Sequence, residues 1–71
     1  MIVFDRLWKT MEAKNVTQYK LITTYGMSTS QLTRLRHNRN ISSYTINILC
    51  EILDCRVEDI MEYKKDSQEI L

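Results

Sequence analysis

Thr17–His37, reading TQYKLITTYGMSTSQLTRLRH, is the stretch that decides the fold. Thr17 can cap a helix, because its hydroxyl accepts from a backbone N–H that the first turn leaves unpaired. Val16 before it and Leu21 beyond it form a hydrophobic staple pair. Eleven residues on the signal repeats: Ser28 as cap, Met27 and Leu32 as staple, and Gln31 at the position that completes a capping box. Between the two starts stands Gly26, the single glycine of a chain with no proline. A chain that reverses there calls for positive φ, which glycine adopts without steric cost. The segment therefore predicts a helix of about two turns, a tight turn, and a second helix of about two and a half turns. Leu21, Tyr25, Met27, Leu32 and Leu35 are spaced to pack the two helices at a steep angle. Thr29, Ser30, Thr33, Arg34 and His37 are left facing outward, all polar and none acidic, a surface suited to the major groove of DNA.

Working outward, Phe4, Leu7, Trp8 and Met11 recur at helical spacing and predict an amphipathic first helix over about residues 2–13. Downstream, Ser42 is a third cap, with Ile41 and Ile46 as its staple. A fourth helix is expected from Ser43 to Leu53, burying Ile46, Leu49, Cys50 and Leu53. A short fifth around Val57–Met61 would close the core through Val57 and Ile60. The expected fold is all-α: five short helices in one domain over residues 1–63, with 64–71 a frayed tail. Apolar residues around Ile52, Val57, Ile60 and Tyr63 exceed what so short a fifth helix covers, which suggests a dimer surface.

Composition narrows the class. Seventy-one residues with 44% hydrophobic and 27% charged side chains suit one small globular domain rather than a disordered chain. No apolar run approaches the ~20 residues of a membrane span. Asp5 and Arg6 break the order of charges and apolar residues that a secretory signal has. Two cysteines and one histidine fall short of a structural zinc site, so no metal or cofactor is expected. Cys50 and Cys55 read as reduced intracellular cysteines, the first as packing and the second as partly exposed. The net charge of +1 conceals a dipole. Residues 1–40 carry seven basic side chains against two acidic, and residues 41–71 carry three against seven. From Ala13 to Asn40 there is no carboxylate at all, which presents a positive face to a polyanion.

With these residues in place the chain resembles the phage-repressor and Cro-type helix-turn-helix family, also called the xenobiotic-response-element family. The resemblance rests on Thr17-Gln18, Leu21, Gly26, Met27, Leu32 and Leu35, then Ile41-Ser42, Leu49-Cys50-Glu51-Ile52-Leu53 and Val57-Glu58-Asp59-Ile60. It spans roughly residues 3–63. One departure is Ile22, where the family has alanine and the two helices approach closely.

The resemblance implies a lambda-repressor-like bundle in a cytoplasmic, nucleoid-associated protein of bacterial or phage origin. It further implies a sequence-specific regulator of transcription that binds double-stranded DNA as a homodimer. Thr29, Ser30, Thr33 and Arg34 match the base-facing positions of the recognition helix, about 29–37. Arg34 can pair bidentately with guanine, and Thr29 and Thr33 can either hydrogen-bond a base edge or pack a methyl against thymine. Thr17 and Gln18 match the backbone-contacting start of the preceding helix. Arg36, His37, Asn38, Arg39 and Asn40 read as phosphate contacts. The competing reading is a protein-interaction module, antitoxin-like, that binds a protein partner through the acidic C-terminal half. An enzyme is disfavoured: there is no nucleophile–base pair, no phosphate-cradling glycine loop, and one histidine.

Overall fold

The computed structural model describes residues 1–65. Four helices form over α1 Asp5–Ala13, α2 Gln18–Thr23, α3 Thr29–Arg36 and α4 Ser43–Leu53, flanked by two short strands, β1 Ile2–Val3 and β2 Glu62–Tyr63. All three expected caps are in place. The hydroxyls of Thr17, Ser28 and Ser42 accept from the N–H groups of Lys20, Gln31 and Thr45 at 3.0, 3.3 and 3.2 Å. Gly26 has φ +72, as the turn demands.

The helix ends are built alike. Asn15, Asn38 and Asp54 all have positive φ, a conformation that short polar side chains tolerate better than others. After α3, Arg39 N–H bonds Arg34 O at 2.8 Å and Asn38 N–H bonds Leu35 O at 3.3 Å, a Schellman closure. After α1 the same pattern joins Val16 to Met11 and Asn15 to Glu12, at 2.9 and 3.2 Å.

Leu7, Leu21, Leu35, Leu49 and Ile60 are fully buried and form one core with Phe4, Met11, Met27, Leu32, Ile46 and Leu53. Every helix and the C-terminal segment contribute to it. Ile22, larger than the alanine of the family pattern, is half-buried and packs against this core.

The expected all-α bundle of five helices is corrected at both ends. The first helix starts at Asp5, not at residue 2, because Ile2–Val3 pairs antiparallel with Glu62–Tyr63. Both partners include a β-branched or aromatic residue suited to a pleated strand. The fifth helix is a single 3-10 turn over Val57–Asp59. Asp59 ties it off by accepting from Arg56 N–H at 3.1 Å, and the chain must then extend to reach β1. Lys64 N–H donates to Met1 O at 2.9 Å, continuing the ribbon, while the rest of the expected tail, 66–71, lies outside the described residues.

Four burial expectations also change. Tyr25 is exposed rather than packed between the helices, and Val57 is 51% exposed instead of closing the core. Ile60 is fully buried, so it cannot serve the expected dimer surface, and Cys50 is half-buried. Gln31 does not close a capping box either. Its Nε2 crosses to α4 and donates to the Thr45 hydroxyl at 3.1 Å. Thr45, a buried polar residue, also bonds Ser42 Oγ at 3.1 Å. This Gln31–Thr45–Ser42 chain fixes α3 against the start of α4.

Candidate nucleic-acid interface

The turn at Gly26 sets α3 relative to α2, with Met27 N–H reaching back to Leu21 O at 3.0 Å. Leu32 and Leu35 bury one side of α3 and leave Thr29, Ser30, Thr33, Arg34 and Arg36 exposed on the other. Neither α2, α3 nor the loop to α4 contains a carboxylate. The structure thus brings the four predicted base-facing residues together on one exposed, acid-free helix face.

Their polar groups are not equally available. Among the described residues, the Arg34 and Arg39 guanidinium groups make no hydrogen bond or ion pair, and the Thr29 hydroxyl is free. Ser30 Oγ shares a hydrogen bond with Ser28 Oγ at 3.2 Å. The Thr33 hydroxyl donates to Thr29 O at 3.1 Å, the turn before it. Arg36 spans the two helices. One nitrogen, Nη1, donates to Gln18 Oε1 on α2, and Nη2 donates to Thr33 Oγ1 at 3.3 Å.

The predicted backbone contacts lie around this face. Thr17 is exposed and Gln18 half-buried at the start of α2. His37 ends α3, exposed, and Arg39 and Asn40 follow it in the loop, exposed as well. Asn38 is set apart from them. It is half-buried, and its Oδ1 accepts from Phe4 N–H at 2.8 Å, so its side chain ties the end of α3 to the N-terminal segment. A polar groove of about 310 Å³ opens beside Arg34, lined by Ser28, Ser30, Gln31, Asn40, Ser42 and Thr45 among others. Sequence reasoning did not assign Gln31 to this region. A glutamine three residues after a serine cap carries the same signal whether it folds back on its own helix or reaches a neighbour.

Three basic residues outside α3 are engaged by acidic partners. Arg6 pairs with Glu62 at 3.2 Å and donates to Glu58 O at 3.0 Å; Lys64 approaches Asp5 and Arg56 approaches Glu58, each at 3.5 Å. The acidic second half is thereby partly neutralised within the molecule. Cys50 and Cys55 are free thiols. Burial, with the neighbouring Cys50 and Asp59, pushes the Cys55 thiol up to about 11. Among the described residues no three His, Cys, Asp or Glu side chains converge to hold a metal ion, and no helix is long and apolar enough to cross a membrane.

A helix-turn-helix with this geometry defines a class, and the chain belongs to the Cro/C1-type HTH DNA-binding domain family, which it matches over residues 6–66. Among solved structures it is similar to the crystal structure of the transcriptional regulator VanUg (Form II). The two are 28% identical with a TM-score of 0.82, over 92% of this chain and 87% of that one. No curated protein matches the chain.

Proposed function

We propose that this protein is a sequence-specific regulator of transcription that binds double-stranded DNA and lays α3 in the major groove. The observation that carries the reading is the exposed face of α3: four polar side chains, an unpaired arginine and no carboxylate, on a Cro/C1-type domain. Arg34, free of any intramolecular partner among the described residues, is the base reader best matched to guanine. Thr29 and Ser30 lie ahead of it, toward the amino end of the helix, where base edges are met first. Thr17, Gln18, His37, Arg39 and Asn40 surround that face as phosphate contacts. Two copies reading half-sites one turn of the duplex apart, about 34–36 Å, supply the affinity that one small module lacks. The likeness to VanUg, itself a transcriptional regulator, supports the same role here.

The protein-interaction reading is the weaker one, since Arg6, Arg56 and Lys64 already engage carboxylates of the acidic half or Asp5. The test is a titration of the protein against duplex DNA at several salt concentrations. Phosphate contacts release counterions, so affinity should fall steeply as salt rises. Binding that ignores salt, or none at all, contradicts the proposal.

A further inference from the structure

We infer that Thr33 reads the 5-methyl group of a thymine through its own methyl, and that Arg36 is the positioning residue that holds it so. The inference rests on the reading of α3 as the major-groove helix and concerns what one position on it recognises.

The hydrogen-bonding capacity of the Thr33 hydroxyl is limited. A threonine hydroxyl has one proton and two lone pairs. The proton is committed to Thr29 O at 3.1 Å, since a carbonyl can only accept. A guanidinium can only donate, so Arg36 Nη2 at 3.3 Å takes a lone pair of the same oxygen. Arg36 is itself anchored, because its Nη1 donates to Gln18 Oε1 across the turn. The Thr33 oxygen is thus turned back on its own helix and bridged to α2, and it has no proton left to offer. Guanine N7 and O6, adenine N7 and thymine O4 all require a donor. Thr33 cannot supply one, which leaves it the methyl group and a single lone pair that only the exocyclic amino group of adenine or cytosine could meet. The apolar group exposed in the major groove is the thymine methyl.

Thr29 makes the contrast. It is the same residue type on the same face, yet its hydroxyl has no partner among the described residues, so it retains a donor for a base edge. Two threonines of the same face differ by place: Thr33 has the carbonyl of the preceding turn to donate to and Arg36 to accept from, whereas Thr29 opens the helix and has neither.

The test uses the full chain and the duplex it enriches from a random pool. Each thymine of a half-site is replaced in turn by deoxyuridine, which lacks only the 5-methyl group. One replacement should weaken the wild-type protein about fourfold, the worth of one buried methyl. Thr33→Val keeps both the shape and the methyl, so it should bind within about twofold of wild type and keep that penalty. Thr33→Ser should lose it. Arg36→Lys cannot span Gln18 and Thr33 with a planar fork, so it should shrink the thymine–uracil ratio while Tm stays unchanged. Thr33→Val losing tenfold, or no deoxyuridine substitution mattering while Arg34→Ala still relaxes one base position, overturns this inference and leaves the function standing. A pool that enriches nothing overturns both.

Discussion

Arg34 and Arg36 stand two residues apart on α3, both exposed, and the structure uses them differently. Arg36 spends both terminal nitrogens inside the molecule, on Gln18 and Thr33. Arg34 spends neither on any described residue, so its fork is available for bidentate recognition at no cost of breaking an existing bond. Arg34→Ala should therefore cost about 1–3 kcal/mol in binding and relax preference at one base position, read by competition between single-base variants of the bound duplex. The sequence separates the two as base reader and phosphate contact, but that Arg36 turns back onto Gln18 depends on how close α2 lies to the end of α3. Cys55 offers a prediction away from DNA. Its thiol is held protonated up to about 11, against an ordinary 9.0, chiefly by burial. At neutral pH it should react slowly with a thiol-specific disulfide reagent, with a rate that climbs until about pH 11. The sign for stability follows. The protonated thiol is favoured in the fold, so its contribution is complete below pH 9 and is lost as pH rises toward 11. Cys55→Ala should remove that part of the alkaline loss, measured as urea midpoints across the pH range.

At the scale of elements, the three capped helix starts are legible in the sequence, as are the ends of α1 at Ala13 and α4 at Leu53; the left-handed residues that close the helices are not. The starts of α2, α3 and α4 each carry a hydroxyl cap with a staple pair around it, a signal contained within six residues, whereas α1 follows Phe4 with no side-chain cap, so periodicity alone places its start at residue 2 rather than Asp5. The ends depend on Asn15, Asn38 and Asp54 in the left-handed conformation, a weaker signal than the glycine that usually marks it. Asn38 reads as a phosphate contact in the sequence; in the fold its side-chain oxygen accepts from Phe4 N–H, and the amide N–H groups remain to donate. The β1–β2 ribbon was invisible for another reason. Two strands of two residues have no periodicity to detect, and their pairing joins residues about sixty positions apart. Energetics should follow these assignments. Ser42→Ala removes a cap and a partner of buried Thr45, and should cost about 0.5–2 kcal/mol of stability by chemical denaturation. Gly26→Ala meets no atom within 4 Å of the added Cβ, so its cost is the backbone alone, about 1–2 kcal/mol. A larger loss there would mean that the turn is more crowded than it stands.

At the scale of the whole molecule, charge is sorted rather than balanced. Bridges such as Arg6–Glu62 and Lys64–Asp5 join the two ends of the chain and consume carboxylates, while the region from α2 to the start of α4 has none. A near-neutral protein can therefore approach a polyanion with one face. Arg39, unpaired among the described residues, belongs to that face. Arg39→Ala should weaken binding to all sequences alike and reduce the slope of log K against log salt by about 1. The central claim is that this small domain reads DNA sequence through α3, and selection of bound duplexes from a random pool at physiological salt addresses it most directly. The expected result is an enriched motif arranged as an inverted repeat, with half-site centres one duplex turn apart and a guanine whose preference disappears in Arg34→Ala. Salt-sensitive binding with no enriched motif would contradict it.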